Sequence, residues 1–417
     1  MKSRRSLPLL LALGMNACGL PMNSQALPIA SNGTGTSGIS VMSYGAAGDG
    51  ITDDTRAINS AMTACVNKTA PANGCVLYFP AGIYITTGLA LQSFVHMKGD
   101  GWGTSVLRLK PHTSADVLTV PAGTFNFSVY GLTLDGNSAK GGSGNCFSTA
   151  TTATGPVEWN TANKRAASIN VQKWGHMEEV MFTNCSADGI HINAYNYMLF
   201  IDNFYIFNNG SYGLYTQGTN SSFTNFQIER NGTAGIHVAN ANNRFTSGEV
   251  IWNGSANSTE AAVYVSGGRN ILTAVEAEDN YTNGFFDNGS DDEFIGCVSD
   301  SNGYARGDAN ASSLTASGFI LDGTGGVYIG DKVTSYRGRL PDGKFPTQWP
   351  YILKNANQAR IDISSDSTNE PPPTVSEVPQ AGSSMAGHVA CIKSAGPPVV
   401  IGFCSKVNNS TGACTCS

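Results

Sequence analysis

Gly189-Ile190-His191-Ile192, Gly213-Leu214-Tyr215-Thr216, Gly235-Ile236-His237-Val238, Ala262-Val263-Tyr264-Val265, Gly284-Phe285-Phe286-Asp287 and Gly318-Phe319-Ile320-Leu321 repeat one phrase. Each is a small residue followed by a short apolar strand, entered from a turn rich in Asn, Gly and Ser. Ile169-Asn170-Val171 opens the series. The small residues recur at about 22 to 27 positions, stretching to about 34 where residues 304–315 intrude, and a period of this length signals a stacked architecture. One unit is too short to bury its own apolar face, and stacking lets the inward side chains of all units form a continuous core. The runs carry no helical period and are punctuated by Gly and Asn, so each coil holds several short strands. The chain is read as all-β, a single-stranded right-handed parallel β-helix.

Alternation along a strand sends the flanking Ile, Leu and Val inward and the middle residue outward. The outward column reads Asn170, His191, Tyr215, His237, Tyr264, Phe286 and Ile320. Its neighbours stand about one strand spacing, 4.8 Å, apart, which makes an aromatic and imidazole stripe along a groove. A second outward column, two residues further on, reads Gln172, Asn193, Gln217, Ala239, Ser266, Asn288 and Asp322.

Of 417 residues, 41% are hydrophobic, only 13% are charged and 49 are Gly, which suits a turn-rich β protein rather than a disordered chain. A formal charge of −6 argues against a general nucleic-acid role, which calls for a basic stripe. Residues 1–26 read as an export signal: Met1-Lys2-Ser3-Arg4-Arg5, an apolar run from Leu7 to Met15, and a cleavage site at Ser24-Gln25-Ala26. Lipid attachment at Cys18 is the competing reading, and no later segment is long enough to span a bilayer. Residues 27–38 form a flexible leader, 39–367 the β-helix, 368–380 a Pro-rich linker through Glu370-Pro371-Pro372-Pro373, and 381–417 a small Cys-bearing tail. Ten Cys in an exported chain point to disulfides. Cys65 with Cys75 and Cys391 with Cys404 are natural pairs, whereas Cys185 and Cys297 lie several coils apart and are not joined. In the tail the disulfide reading outweighs a Zn site built from Cys and His388.

The fold opens at Ile39, and Asp53 is read as the N-cap of an amphipathic helix over residues 54–66 that covers the open end of the stack. The combination Tyr44-Gly45-Ala46-Ala47-Gly48-Asp49-Gly50-Ile51-Thr52-Asp53-Asp54-Thr55, the helix, and Cys75-Val76-Leu77-Tyr78-Phe79-Pro80-Ala81-Gly82-Ile83-Tyr84 resembles the N-terminal signature of the pectate-lyase-like β-helix superfamily, which includes rhamnogalacturonases and polysaccharide lyases. Val95-His96-Met97-Lys98-Gly99-Asp100-Gly101-Trp102-Gly103 and Gly131-Leu132-Thr133-Leu134-Asp135-Gly136-Asn137 resemble it too. The resemblance covers roughly residues 39–330 and implies the fold; a fold hosts many chemistries.

An aromatic groove suits sugars. Glycoside hydrolysis needs two carboxylates about 5 to 9.5 Å apart, and the outward columns offer no such pair. Elimination needs a base for the proton alpha to a uronate carboxylate, an acid for the departing oxygen, and a group to neutralise that carboxylate. His191, Tyr215 and His237 on successive coils fit this set as catalytic residues, with imidazoles serving as base or acid and the phenol as proton donor. Asn170, Asn193, Gln217, Tyr264 and Phe286, with Trp159 and Arg165 from an irregular loop over residues 148–165, are candidate substrate contacts. The function read is an exported enzyme cleaving an acidic polysaccharide by β-elimination. Two alternatives stay open: a rhamnogalacturonase-type hydrolase using Asp188 with Glu158 or Asp202, and a non-catalytic carbohydrate-binding or adhesion protein. No cofactor is required, although Asp287, Asp291, Asp292 and Glu293 could collect Ca²⁺.

Overall fold

The computed structural model describes residues 38–68, 74–150, 159–160, 165–166, 173–194, 196–303, 316–334, 336, 349–354, 359–365, 390–392, 401–407 and 414–416. Parallel pairing dominates. A ten-stranded sheet takes its strands in strict chain order from Leu89–Ala90 through Leu118–Val120, Phe147–Thr149, Ile190–Ile192, Tyr212–Thr216, Ala234–Val238, Val263–Val265, Phe285–Asp287 and Ser317–Leu321 to Trp349–Leu353. Its register sets His191 beside Tyr215, Tyr215 beside His237, His237 beside Tyr264 and Tyr264 beside Phe286. The stack is the parallel β-helix expected from the repeat.

The remaining wall is a 17-stranded sheet whose long strands, Leu199–Phe207, Ser222–Glu229, Arg244–Ile251 and Ile271–Glu278, each follow a groove strand. Each long strand bends at one residue of positive φ: Asn203, Asn225, Ser247 and Ala274. Two further columns of positive φ mark the other corners of these coils, one running Met198, Asn220, Asn242, Arg269, Asp291 and the other Asn208, Arg230, Trp252, Asp279, Ser301. A coil therefore turns three times, each time through a single left-handed residue. Asn and Gly meet this demand cheaply, whereas Ala274 and Trp252 meet it at a conformational cost.

The corner after the long strands carries a side-chain ladder. Asn209 Nδ2 donates to Asn231 Oδ1 (3.0 Å), Asn231 to Asn253 (2.8 Å), Asn253 to Asn280 (3.1 Å) and Asn280 to Asn302 (2.9 Å), all of them buried. Each acceptor oxygen also takes the backbone N–H of the Asn one coil earlier. A second ladder runs through Asn243, Asn270 and Asp292 at the corner before the long strands. These amides give the corner backbone the partners that a tight buried turn would otherwise lack.

Inside, Ile190, Leu214, Ile236, Val263 and Phe285 are buried, and their rings and branches stack coil on coil, as in Phe223 over Phe245 at 4.6 Å and Phe285 over Phe319 at 4.7 Å. The small residue before each groove strand is imposed by this packing. A Cβ on Gly213 would lie 2.4 Å from Ile228 Cγ2, one on Gly235 2.2 Å from Val250 Cγ1, and one on Gly284 2.3 Å from Ser299 Oγ.

The helix spans Thr55–Lys68 and buries Ile58, Ala61, Met62 and Cys65 against the first coils, as a cap should. Asp54, not Asp53, occupies the residue before it. Asp53 Oδ1 accepts from Thr55 N and Oγ1, while the Asp54 carboxylate accepts from Ala47 N and Gly48 N. Cys65 and Cys75 are bonded as expected. Cys146 and Cys185 form a second disulfide, one coil apart, and Cys297 is free and buried. In the tail, Ala390–Ile392, Ile401–Val407 and Cys414–Cys416 pair antiparallel. The signal, leader and linker segments fall outside the described residues, apart from Gly38, and no described helix is long and apolar enough to cross a membrane.

Truncating Asn253→Ala orphans the buried Asn231 N–H and the carbonyls of Ile228 and Ile251, which now accept from Asn253 Nδ2. A loss of at least about 2 kcal/mol in unfolding free energy is expected from denaturant titration. Ala274→Gly removes a left-handed Ala and should stabilise by up to about 1 kcal/mol in the same assay; no gain would remove the corner argument.

Candidate active site

The middle residues of the groove strands project outward and form a continuous row of rings. His191 stacks on Tyr215 (centroids 4.9 Å, 27° between planes), Tyr215 meets His237 edge-on (5.1 Å, 88°), His237 meets Tyr264 at 4.4 Å, and Tyr264 stacks on Phe286 at 5.0 Å. All five are half-buried, so each ring presents an edge or face to the groove. The place before His191 belongs to Ser148, not to Asn170, because Phe147–Thr149 pairs directly with Ile190–Ile192. The intervening coil is long, with Asp188 N bonding to Asn145 across 43 residues, and the expected strand around Asn170 lies within that excursion, outside the described residues.

Two carboxylates complete the row. Asp188, buried in the turn before the Ile190–Ile192 strand, bonds His191 Nδ1 through Oδ2 at 2.6 Å and takes the Tyr212 N–H on Oδ1 at 3.0 Å. His191 is held above its ordinary pKa by this bond, which outweighs the opposing effect of burial. Nδ1 is committed to Asp188, and the neighbouring Asn193 side chain also favours the charged ring. Glu260 approaches His237 from the loop between Arg244–Ile251 and Val263–Val265. Its Oε2 lies 3.3 Å from His237 Nδ1, an ion-pair distance without hydrogen-bond alignment, and its Oε1 accepts from Tyr212 Oη at 2.8 Å. Burial pushes the Glu260 carboxyl up, and the contacts from His237 and Tyr212 outweigh it and hold the group below its usual range. Burial, then the bond to Glu260, raise Tyr212 well above an ordinary phenol.

The polar candidates divide. Gln217 Nε2 donates to Tyr215 Oη (2.9 Å), leaving the phenol proton to be given elsewhere. Asn193 Nδ2 is tied to Thr149 O (2.7 Å), so this amide braces the turn beside His191. Tyr264 Oη accepts from Asn288 Nδ2 at 3.0 Å. Trp159 and Arg165 sit on short paired strands, but their side chains, like Asn170 and Glu158, lie outside the described residues.

Of the carboxylates in the hydrolase alternative, Glu158 lies outside the described residues, and Asp188 and Asp202 are not brought together. Asp188 serves His191, and Asp202 lies on the other sheet, bonded to Thr224 and Asn225. Asp287 and Asp292, considered for Ca²⁺, turn inward: Asp287 accepts from Tyr328 Oη and Gly289 N, and Asp292 ends the second ladder. Among the described residues no three acidic, imidazole or thiol groups converge as a metal site. The opposite sheet carries Glu249, Glu276 and Glu278 side by side. Burial and then the neighbouring carboxylates push Glu278 up to about 7.

A raised native pKa means that the Asp188–His191 pair stabilises the fold fully below the ordinary imidazole value of about 6.5 and ceases to do so as pH rises through the higher native value. Unfolding free energy should therefore fall across that window in the wild type, and the fall should vanish in Asp188→Asn. Identical pH profiles would show that the pair is not charged.

Residues 38–258 match the family model described as rhamnogalacturonase A/epimerase, pectate lyase-like. Mannuronan C5-epimerase AlgE2 of Azotobacter vinelandii is 36% identical over 110 residues, 23% of this chain and 11% of that protein; AlgE4 of the same organism is 31% identical over 110 residues, 23% of this chain and 19% of that protein. The chain thus spans a small part of these relatives. Among solved structures, the AlgE4 A-module from Azotobacter vinelandii superposes with a TM-score of 0.58 at 17% identity, covering 81% of this chain and 100% of that one. The enzymatically active domain of tailspike protein 2 from bacteriophage CBA120 gives 0.61 at 15%, covering 80% and 47%. These likenesses at low identity show the parallel β-helix, and the family match extends over more than half of the sequence: the chain belongs to the rhamnogalacturonase A/epimerase, pectate lyase-like family.

Proposed function

We propose that the protein acts on a uronate-containing polysaccharide by removing the proton alpha to the uronate carboxylate, and that β-elimination follows. The observation that carries this reading is the row His191–Tyr215–His237 with a carboxylate behind each imidazole. His191, whose charged form Asp188 favours, lies against the substrate carboxylate and stabilises the negative charge that develops as the C5–H bond breaks. His237 in its neutral form takes that proton, and Glu260 stabilises the resulting imidazolium. Tyr215, whose oxygen already accepts from Gln217, gives its proton to the departing O4 as the C4–O bond breaks and the C4=C5 double bond forms. Two disulfides suit an oxidising, extracellular setting.

A second reading, C5 epimerisation, is favoured by the 36% identity with a mannuronan C5-epimerase. It shares proton removal and differs in the fate of the anion, which is reprotonated from the opposite ring face with the glycosidic bond intact. In the row described, the acid and the base rise from one wall, which supports elimination.

Purified protein offered a panel of uronate polysaccharides should generate ultraviolet absorbance from the unsaturated product, and the double variant His191→Ala, His237→Ala should lose at least about 10²-fold in rate. Deuterium entering C5 from D₂O without chain cleavage would establish epimerisation instead. Reducing ends without absorbance would shift the assignment to hydrolysis, and binding without either product would leave a carbohydrate-binding protein.

A further inference from the structure

We infer that Lys354, with Phe286 and Tyr264, forms a distal uronate subsite in the same groove, so that efficient turnover requires a polymer reaching from Tyr215 to Lys354. The inference rests on the uronate reading above. Lys354 immediately follows the Trp349–Leu353 strand, and its N–H bonds to Leu321 O, which places it in the second outward column after Asn288 and Asp322. Its ammonium lies 5.5 Å from the Phe286 ring centroid, and the side chain is exposed. Among the described members of the two outward columns it is the one lysine or arginine.

Three features suit this position to a sugar carboxylate. Tyr264 and Phe286 stack on each other, 21° apart with centroids at 5.0 Å, so the two half-buried rings turn apolar edges to the groove, against which the C–H groups of a sugar pack. Asn288 bonds the Tyr264 hydroxyl at 3.0 Å and fixes a polar group beside these ring edges. Lys354 reaches back past one strand to Phe286, so its positive charge is presented beside that ring. The distance sets the length requirement. Phe286 stands three strand spacings from Tyr215, about 14 Å along the groove, more than a single sugar can bridge. A chain held at both ends must extend several sugars beyond the reacting unit, and binding energy gained there steadies the ring at Tyr215.

The test compares a uronate trisaccharide with an octasaccharide, using the full chain and the variants Lys354→Met, Lys354→Arg and Phe286→Ala. Lys354→Met should lower kcat/KM for the octasaccharide about tenfold, the size of one charge-assisted contact, while the trisaccharide is unaffected and Lys354→Arg retains most of the activity. Phe286→Ala should show the same length dependence. Equal losses on both substrates, or no loss on the longer one, would overturn the subsite. If the wild type turns over neither oligosaccharide, the catalytic reading fails and equilibrium binding decides the subsite alone. Weaker octasaccharide binding by Lys354→Met, with unchanged binding of a neutral polysaccharide, supports it; identical affinities overturn it.

Discussion

The amide ladder Asn209–Asn231–Asn253–Asn280–Asn302 is the constraint on which the rest of the molecule depends. A solenoid coil has no partner but its neighbours, so any slip in stacking would move every side chain of a groove strand relative to the next. A buried Asn that bonds both the backbone and the side chain of the adjacent coil permits only one register. Because unmet amides in a dry corner cost as much as met ones contribute, the ladder penalises misalignment at each step. The stacked Phe rings add area and close packing, yet apolar contacts alone are less directional and would tolerate a shift that the amides do not.

That registration is what turns a row of ordinary strand residues into a site. His191, Tyr215 and His237 occupy one column because the coils are aligned, and the carboxylates that meet the two imidazoles come from turns, where the chain is free to depart from the repeat. Asp188 is buried and bonds both an imidazole and the amide of Tyr212, so its position is fixed from two sides. Glu260 is similarly shared between His237 and Tyr212. Tyr212 thus links the two pairs: its amide serves one carboxylate and its phenol the other.

Much of this was legible in the sequence, for identifiable reasons. The small residue before each triplet follows from van der Waals contact with Ile228, Val250 and Ser299, so it recurs at every coil and marks the register. Strict alternation then gives the outward columns from Tyr215 to Phe286. The Asn ladder was also written there, as Asn209, Asn231, Asn253, Asn280 and Asn302 at the coil period, but Asn is so common in turns that its identity alone does not separate a buried ladder from solvated corners. The Cys146–Cys185 bridge and the neighbour of His191 were obscured by one cause. The long excursion between Thr149 and Lys173 separates in sequence two strands that touch in space, so a reading by regular spacing puts Asn170 where Ser148 stands. Glu260 carries no local signal, since nothing in a turn sequence says which ring it will meet.

The coil that delivers Glu260 holds 27 residues between successive ladder positions, Asn253 and Asn280, where the coil before it holds 22, and the ladder bonds across both. The extra residues leave the stack undisturbed on either side. In evolutionary terms, coil length is a neutral variable for the scaffold and a decisive one for the groove. Lineages of such a fold can gain or lose an ionisable group opposite a fixed imidazole by insertion or deletion in a single turn, with no compensating change in the core. Divergence of chemistry within this architecture is then expected to track indels at the corners more closely than substitutions along the strands.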